Sequence, residues 1–370
     1  KRLVAVRLLY IVSHPIQYQA PLLRRIAAEP GIDLRVVFES DLSEGRHFDP
    51  GFGREIEWDV PLKAGYDNVV LSDVRIGDEI AACDLLWVHG WQTKTLRSAI
   101  RQARRLDKPV LMRGENWSGA VPDGRGLRGW LKRRYLASVF SSCRAFLCLC
   151  RLNRSYYLEP GVSPQRLFVM PYAIDNAMFR RQADAADIAG LRRELGIAAD
   201  RHVILYAGKL THRKHPDVLL DAWKRADWPG KPPVLLFVGD GPLGDILRRE
   251  ASGEGILAGF RNQTDLPAFY RLADLFVLAA SKEAWGLAIN EAMACGTGVI
   301  ASTECGAAYD LIDVNSGRVT EPNDSATLAV VLPQALARSA ELGEGAQRCI
   351  VGWDFEAELA GMRAAMESGS

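Results

Sequence analysis

Short apolar runs of strand length alternate with helical patterns along the whole of this chain, and that alternation restricts the folds open to it. A strand, a helix and a second strand in succession pack as parallel neighbours joined by a crossover, so the pattern predicts parallel sheets covered by helices. The expected strands run over Leu8 to Ser13, Leu34 to Glu39, Asp84 to His89, Pro109 to Arg113, Ala145 to Cys150 and Leu167 to Met170, then over Val203 to Gly208, Val234 to Gly239, Leu275 to Ala279 and Val299 to Ser302. Between the two sets lie Met170 to Phe179 and a polar Ala/Asp-rich stretch to Ala199, where the domain boundary is expected. The resulting α/β class is two Rossmann-like, doubly wound domains, residues 1–180 and 181–353, facing each other across a cleft lined by strand C-termini, where such folds bind ligands. At 370 residues the chain is long enough for both.

Composition narrows the class further. With 48% hydrophobic and 25% charged residues and no low-complexity tract, the chain reads as globular. It contains no apolar run of the length a membrane-crossing helix needs. Lys1 to Ser13 reads as a buried strand rather than a signal peptide, so a cytoplasmic location is expected. The seven cysteines are an odd number, lie mostly within apolar stretches and include no C-x-x-C pair, and so read as core residues rather than disulfides or zinc ligands.

The net charge of +1 hides an asymmetry, because residues 1–180 carry 27 Lys and Arg against 19 Asp and Glu, and the remainder 19 against 26. The excess gathers between Lys94 and Arg134, where twelve cations, Arg125 among them, face only Asp107, Glu115 and Asp123. No nucleic-acid-binding motif accompanies it, so no such partner is expected. Within this stretch, Gly126-Leu-Arg-Gly-Trp-Leu-Lys-Arg-Arg-Tyr-Leu136 mixes Trp130, Leu131 and Leu136 with four cations, a composition suited to a helix lying on an anionic membrane surface, peripheral to the inner face of the cell membrane. A solvated basic face on a core-packed helix is the plain alternative.

The densest chemistry lies in Ser281-Lys-Glu-Ala-Trp-Gly-Leu-Ala-Ile-Asn-Glu-Ala-Met-Ala-Cys-Gly296. It sets Glu283 just past the apolar run Leu275 to Ala279, and Glu291 one to two turns into the following helix. If that helix starts near Gly286, the N–H groups of Gly286 and Leu287 point at an anion such as a diphosphate, and the helix dipole adds to their pull. Glu283 and Glu291 could then accept hydrogen bonds from hydroxyls on either side of it, because an ionised carboxylate only accepts. Acids are favoured near helix starts in any case, so the spacing also fits two solvated glutamates. Gly239-Asp-Gly-Pro-Leu-Gly244 matches G-x-G-x-x-G after a strand. It contains a proline and is followed by no clean acid on a second strand about twenty residues later, which sets the nicotinamide reading aside.

Ala207-Gly-Lys-Leu-Thr-His-Arg-Lys-His-Pro216, Val238-Gly-Asp-Gly-Pro-Leu243, Gly259-Phe260, Asp265-Leu-Pro-Ala-Phe-Tyr-Arg-Leu-Ala-Asp274, the Glu283 to Glu291 segment, and Gly296-Thr-Gly-Val-Ile-Ala-Ser302 with Gly306 follow one another in an order that resembles the family-4 retaining glycosyltransferases of GT-B fold. Trp353-Asp-Phe-Glu356 and the helix after it, about 354–370, resemble the family's terminal helix, which crosses back onto the first domain. The resemblance implies transfer of a sugar from a nucleoside-diphosphate sugar to a hydroxyl of a saccharide or lipid-linked acceptor, with retention and with neither a metal nor another cofactor, in bacterial cell-envelope or exopolysaccharide assembly. It places Glu283 on the donor sugar and Glu291 on the ribose diol. Gly208, Gly239, Gly241, Phe260, Gly286 and Leu287 fall around the donor, and the family's paired cations fall on Lys209 and Lys214. Cations fixed beside a departing diphosphate stabilise its developing charge as Mg²⁺ would. The family commonly has Arg at the first position, whereas Lys209 is a point charge rather than a fork; an exposed basic turn is the alternative reading of both lysines.

The first half departs from the family pattern. Many relatives have a glycine-rich turn after the first strand, but here Ser13-His-Pro-Ile-Gln-Tyr-Gln-Ala-Pro21 offers His14, Gln17 and Tyr18 as acceptor contacts, with a hydrogen-bonded structural histidine as the alternative. His89 follows the third expected strand, as contact or support. Where relatives often place a histidine after the fourth strand, the chain reads Arg113-Gly-Glu-Asn116. Glu115 would orient an acceptor hydroxyl or pair with Arg113, and Asn116 would serve as a neutral donor. The resemblance also favours front-side substitution over a glycosyl-enzyme, since no second carboxylate is placed convincingly opposite the sugar. The rival readings are a non-catalytic nucleotide-sugar binding protein, and an epimerase or phosphorylase on the same fold.

Overall fold

The computed structural model describes residues 5–120, 126–251 and 253–368. Lys1 to Val4 of the expected first-strand segment, Asp123 and Arg125 of the basic stretch, and the last two residues of the expected terminal helix lie outside them. By packing, the chain forms two compact units, one of Lys1–His47, Val60–Tyr172 and Phe355–Ser370, the other of Phe48–Asp59 and Ala173–Asp354.

The strands of the first half are β1 (Val6–Val12), β2 (Ile32–Phe38), the short pair β3 (His47–Asp49) and β4 (Arg54–Ile56), β5 (Asp67–Val70), β6 (Leu85–His89), β7 (Val110–Arg113), β8 (Ala145–Cys148) and β9 (Leu167–Val169). Seven of them form one sheet in the order β5-β2-β1-β6-β7-β8-β9, every pair parallel. Leu8 to Val12 of β1 are buried without alternation, as expected of a strand covered on both faces. The strand order reverses between β1 and β6, so the residues after these two strands flank the crevice where open α/β sheets take ligands.

The second unit repeats the design with β10 (Val203–Ala207), β11 (Val234–Val238), β12 (Gly255–Gly259), β13 (Leu275–Leu278), β14 (Gly298–Ser302) and β15 (Gly317–Thr320), ordered β12-β11-β10-β13-β14-β15 and again parallel. Its switch point lies between β10 and β13.

All ten expected strands are present within a residue or two. Of the five strands without a sequence signal, β3 and β4 form a separate two-stranded sheet, and β5, β12 and β15 lie at sheet edges and are only partly buried. An edge strand pairs on one side only and needs no continuous apolar run. The polar stretch after Phe179 is helical rather than loose: Asp175 and Asp187 accept the backbone N–H groups of Met178 and Gly190, both at 2.8 Å, and so cap helices Asn176–Ala185 and Ile188–Glu194.

The terminal helix Phe355–Glu367 packs into the first unit beside β8 and β9. Gly361 permits this, because a Cβ there would lie 1.9 Å from the Val169 carbonyl oxygen. Inside the unit, Arg113 Nη2 donates to Glu358 Oε1 at 2.6 Å and to the Met170 carbonyl at 3.0 Å. Arg113 is thus paired with the terminal helix and not with Glu115. Among the described residues the seven cysteines form no disulfide, and six of them are buried. Among the described residues, no helix is long and apolar enough to cross a membrane.

Candidate functional site

At the β10/β13 switch point of the second unit, Glu283 Oε2 accepts from Lys214 Nζ at 2.6 Å and from Arg213 Nη1 at 2.9 Å. The loop holding Glu283 is tied by its backbone: Glu283 N–H donates to the Glu304 carbonyl, Gly306 N–H to the Glu283 carbonyl, and Ser281 N–H to the Arg213 carbonyl. Burial alone would push the Glu283 carboxyl up, but Lys214 and Arg213 outweigh it and hold the group below the usual carboxylate range. An ionised acceptor is therefore locked between two cations. Lys209 turns elsewhere, to Asp49, so the two expected lysines do not share one partner.

The glycines nearby have a structural cause that the motif alone does not reveal. Gly239 has φ 131°, and a Cβ there would lie 2.0 Å from the Gly208 carbonyl oxygen, while one on Gly241 would lie 2.6 Å from that of Leu210. Gly208 N–H donates to the Val238 carbonyl and Leu210 N–H to the Asp240 carbonyl, both at 2.9 Å, so the loops after β10 and β11 run in backbone contact. Phe260, after β12, donates its N–H to Asp240 Oδ2 at 3.2 Å.

Gly286, with φ 98°, caps helix Leu287–Ala294, whose first-turn N–H groups have no acceptor within the helix. Within that helix Glu291 Oε2 accepts from the Tyr270 hydroxyl at 2.7 Å. Burial raises its carboxyl to about 7, against the opposing pull of Tyr270 and Lys214.

The first unit holds a second polar cluster at its own β1/β6 switch point. Glu115 Oε1 accepts from the Tyr18 hydroxyl at 2.9 Å and from the Tyr172 hydroxyl, and lies 3.6 Å from His89 Nε2. Burial alone would raise Glu115, but His89, Tyr172 and Tyr18 bring it down to about 2. Tyr10, stacked on Trp87, meets His89 Nδ1 at 2.9 Å and donates to Gln19 Oε1 at 3.0 Å. His14 contacts Ser13 Oγ through Nδ1 at 2.9 Å, and burial lowers its pKa, with His47 and His89 adding to the effect. Gln17 is half-buried in the same turn. Asn116 is held by its carbonyl, which with that of Gly114 accepts from the buried Asn153 side chain at 2.6 and 2.9 Å. The structure thus brings Tyr18, His89 and Glu115 together. Sequence reasoning did not single out Tyr172, Asn153, Arg213, Tyr270 or Asp49. Arg213 lay inside the quoted motif beside Lys214, and its forked geometry was the available signal.

Residues 187–350 match the family model described as glycosyl transferases group 1. The fold of the chain is GT-B. Its likeness to solved structures spans both units: HepE of Anabaena in complex with UDP and glucose superposes with a TM-score of 0.72 at 16% identity over 98% of either chain. WaaG, a glycosyltransferase involved in lipopolysaccharide biosynthesis, superposes with a TM-score of 0.68 at 17% identity over 98% of this chain and 100% of its own. Among curated proteins, the D-inositol 3-phosphate glycosyltransferase of Geodermatophilus obscurus is 34% identical over 51% of this chain and 44% of its own length, and that of Salinispora arenicola is 34% identical over 55% and 47%. The chain spans about half the length of the curated relatives it matches. In this GT-B chain the two polar clusters each lie at the switch point of their own sheet. Among the described residues, no group of three or more His, Cys, Asp or Glu side chains is arranged to hold a metal ion.

Proposed function

We propose that this chain moves a sugar from a nucleoside-diphosphate sugar to a hydroxyl of a saccharide or lipid-linked acceptor, with retention and without a metal ion. The observation that carries the reading is Glu283, a half-buried carboxylate held between Lys214 and Arg213 at the switch point of the second sheet. Glu283 accepts from hydroxyls of the donor sugar, Glu291 from the ribose diol, and the N–H groups of Gly286 and Leu287 face the diphosphate. As the bond from the sugar to the diphosphate breaks, negative charge gathers on the leaving oxygen, and Lys214, Arg213 and Lys209 stabilise it. That oxygen takes the acceptor proton while the new bond forms on the same face of the sugar; the enzyme supplies position and charge.

The first unit's cluster holds the acceptor. The described contacts of Glu115 all fall on Oε1, which leaves Oε2 for an incoming hydroxyl, and His14, Gln17 and Asn116 are the further acceptor contacts of this proposal. Glu115→Gln is expected to lower acceptor-dependent transfer about ten- to a hundredfold, the loss typical of a hydrogen bond to a charged group, and to spare slow donor hydrolysis. Turnover of UDP-, GDP- and TDP-sugars with and without acceptor, in the presence of EDTA, tests the assignment. Equal loss of both activities would remove Glu115 from the acceptor side, and activity that dies in EDTA and returns with Mg²⁺ would defeat the metal-free reading.

Nucleotide-sugar affinity should also depend on pH. A ribose diol donates more strongly to an ionised Glu291, so binding draws off the proton that burial retains up to about 7. Affinity should therefore rise from pH 6 to 8, by at most about tenfold per unit below that pKa, and level off above it. Calorimetric titration would show this slope, and Glu291→Gln should flatten it.

The acceptor's membrane setting is supported by helix Leu127–Ser141, which leaves Leu127, Trp130, Leu131 and Tyr135 exposed together with Arg128, Arg133 and Arg134. A groove of about 460 Å³ lined by Arg97, Arg101, Arg104 and Arg105 lies beside it. Co-sedimentation should be stronger with vesicles rich in anionic lipid than with zwitterionic ones, and equal binding to both would count against the proposal.

A further inference from the structure

Residues 48–59 belong to the first half of the sequence but pack with the second unit. There β3 and β4 form a two-stranded hairpin, whose contacts reach the loops after β10, β11 and β12. Arg54 pairs with Asp240 at 2.7 Å, and the Phe52 and Trp58 rings lie 4.9 and 6.1 Å from that of Phe260. Asp49 makes the contact of greatest chemical consequence. Both of its carboxylate oxygens accept from Lys209 Nζ at 2.8 Å, and Oδ1 also takes the backbone N–H groups of Gly51 at 2.7 Å and Phe52 at 3.1 Å. Lys209 Nζ lies 4.9 Å from the Phe52 ring centroid, and a Cβ on Gly51 would come within 2.5 Å of Lys209 Cδ.

We infer that Asp49 is the resting counter-ion of Lys209, which a diphosphate must displace, so that this carboxylate sets the affinity of the donor site. The inference rests on the reading of Lys209 as a phosphate contact. An ammonium already paired with a carboxylate presents no net charge, and an arriving phosphate meets attraction and repulsion of comparable size. The carboxylate cannot rotate away by itself, because two backbone N–H groups anchor it. Freeing Lys209 requires either the lysine or the whole turn to move. The cost of parting the pair falls on whatever diphosphate binds, substrate or product, and weaker retention of product favours its release.

Asp49→Asn keeps an oxygen for the Gly51 and Phe52 N–H groups and removes only the charge; Asp49→Ser is a second variant that also preserves an acceptor for the turn. Calorimetry with inorganic pyrophosphate, which has no base to confuse the comparison, and with UDP should show tighter binding to both variants, by about fivefold or more, the factor that one screened unit charge exerts at about 4 Å. The gain should vanish when Lys209→Met is added. Equal or weaker binding by both variants, or no measurable binding by wild type and variants alike at millimolar ligand, overturns the inference. Lys209→Met separates it from the reading beneath: if that change alone leaves binding intact, the phosphate role of Lys209 fails. If it weakens binding while neither Asp49 variant strengthens it, only the counter-ion role falls.

Discussion

Glu283→Gln is expected to lower turnover by about 10²- to 10³-fold while nucleotide-sugar binding changes little. The carboxylate accepts from two cations and its side chain is only 14% exposed, so water screens its charge incompletely. Positive charge building on the sugar ring strengthens hydrogen bonds from its hydroxyls to an ionised acceptor, an interaction gained in the transition state rather than the ground state. Losing one such group typically costs about 2 to 4 kcal/mol of barrier. The amide also leaves Lys214 and Arg213 without their anion, which favours diphosphate binding and hides the defect from affinity measurements. Comparing kcat with the dissociation constant of the donor separates the two effects. A near wild-type kcat would remove Glu283 from the site.

Arg113→Met should be the most damaging single change to the first unit's stability. Arg113 is fully buried and Glu358 is 1% exposed, so removing the guanidinium strands a carboxylate in the interior, a loss of about 3 to 5 kcal/mol. The arginine is also incompletely satisfied: among the described residues Nε and Nη1 have no hydrogen-bond partner, and the group lies 4.5 Å from the Tyr172 ring centroid. Much of the pair's attraction is therefore offset by desolvation. The double change Arg113→Met with Glu358→Leu should recover most of the loss, because two apolar side chains can replace a buried ion pair at little cost. Urea unfolding reports the energies, and limited proteolysis of residues 355–368 reports whether the terminal helix stays docked. A single variant as stable as wild type, or a double variant no better than the single, would contradict this account.

Asp49 carries no local sequence signal of its role. It is 160 residues from Lys209 in a segment with no strand-like apolar run, and nothing in its neighbourhood sequence distinguishes an acid that grips a distant lysine from one in a solvated turn. Tyr172 is similar, lying in a Met-Pro-Tyr stretch that resembles a linker although its hydroxyl donates to Glu115, 57 positions earlier.

What the sequence by itself determined is whatever depends on local periodicity and spacing. The ten central strands were legible because strands covered on both faces must be apolar throughout. Glu283 and Glu291 were legible as a strand-end and helix pair for the same reason, since a fixed count of residues fixes their placement. The edge strands, the assignment of the hairpin 48–59 to the second unit, the pairing of Arg113 with Glu358 and the convergence of Tyr18, Tyr172 and His89 on Glu115 were decided only by the tertiary structure. Each depends on groups far apart in the chain meeting, where a contact's partner is chosen by packing and carries no signature in the residues on either side of it.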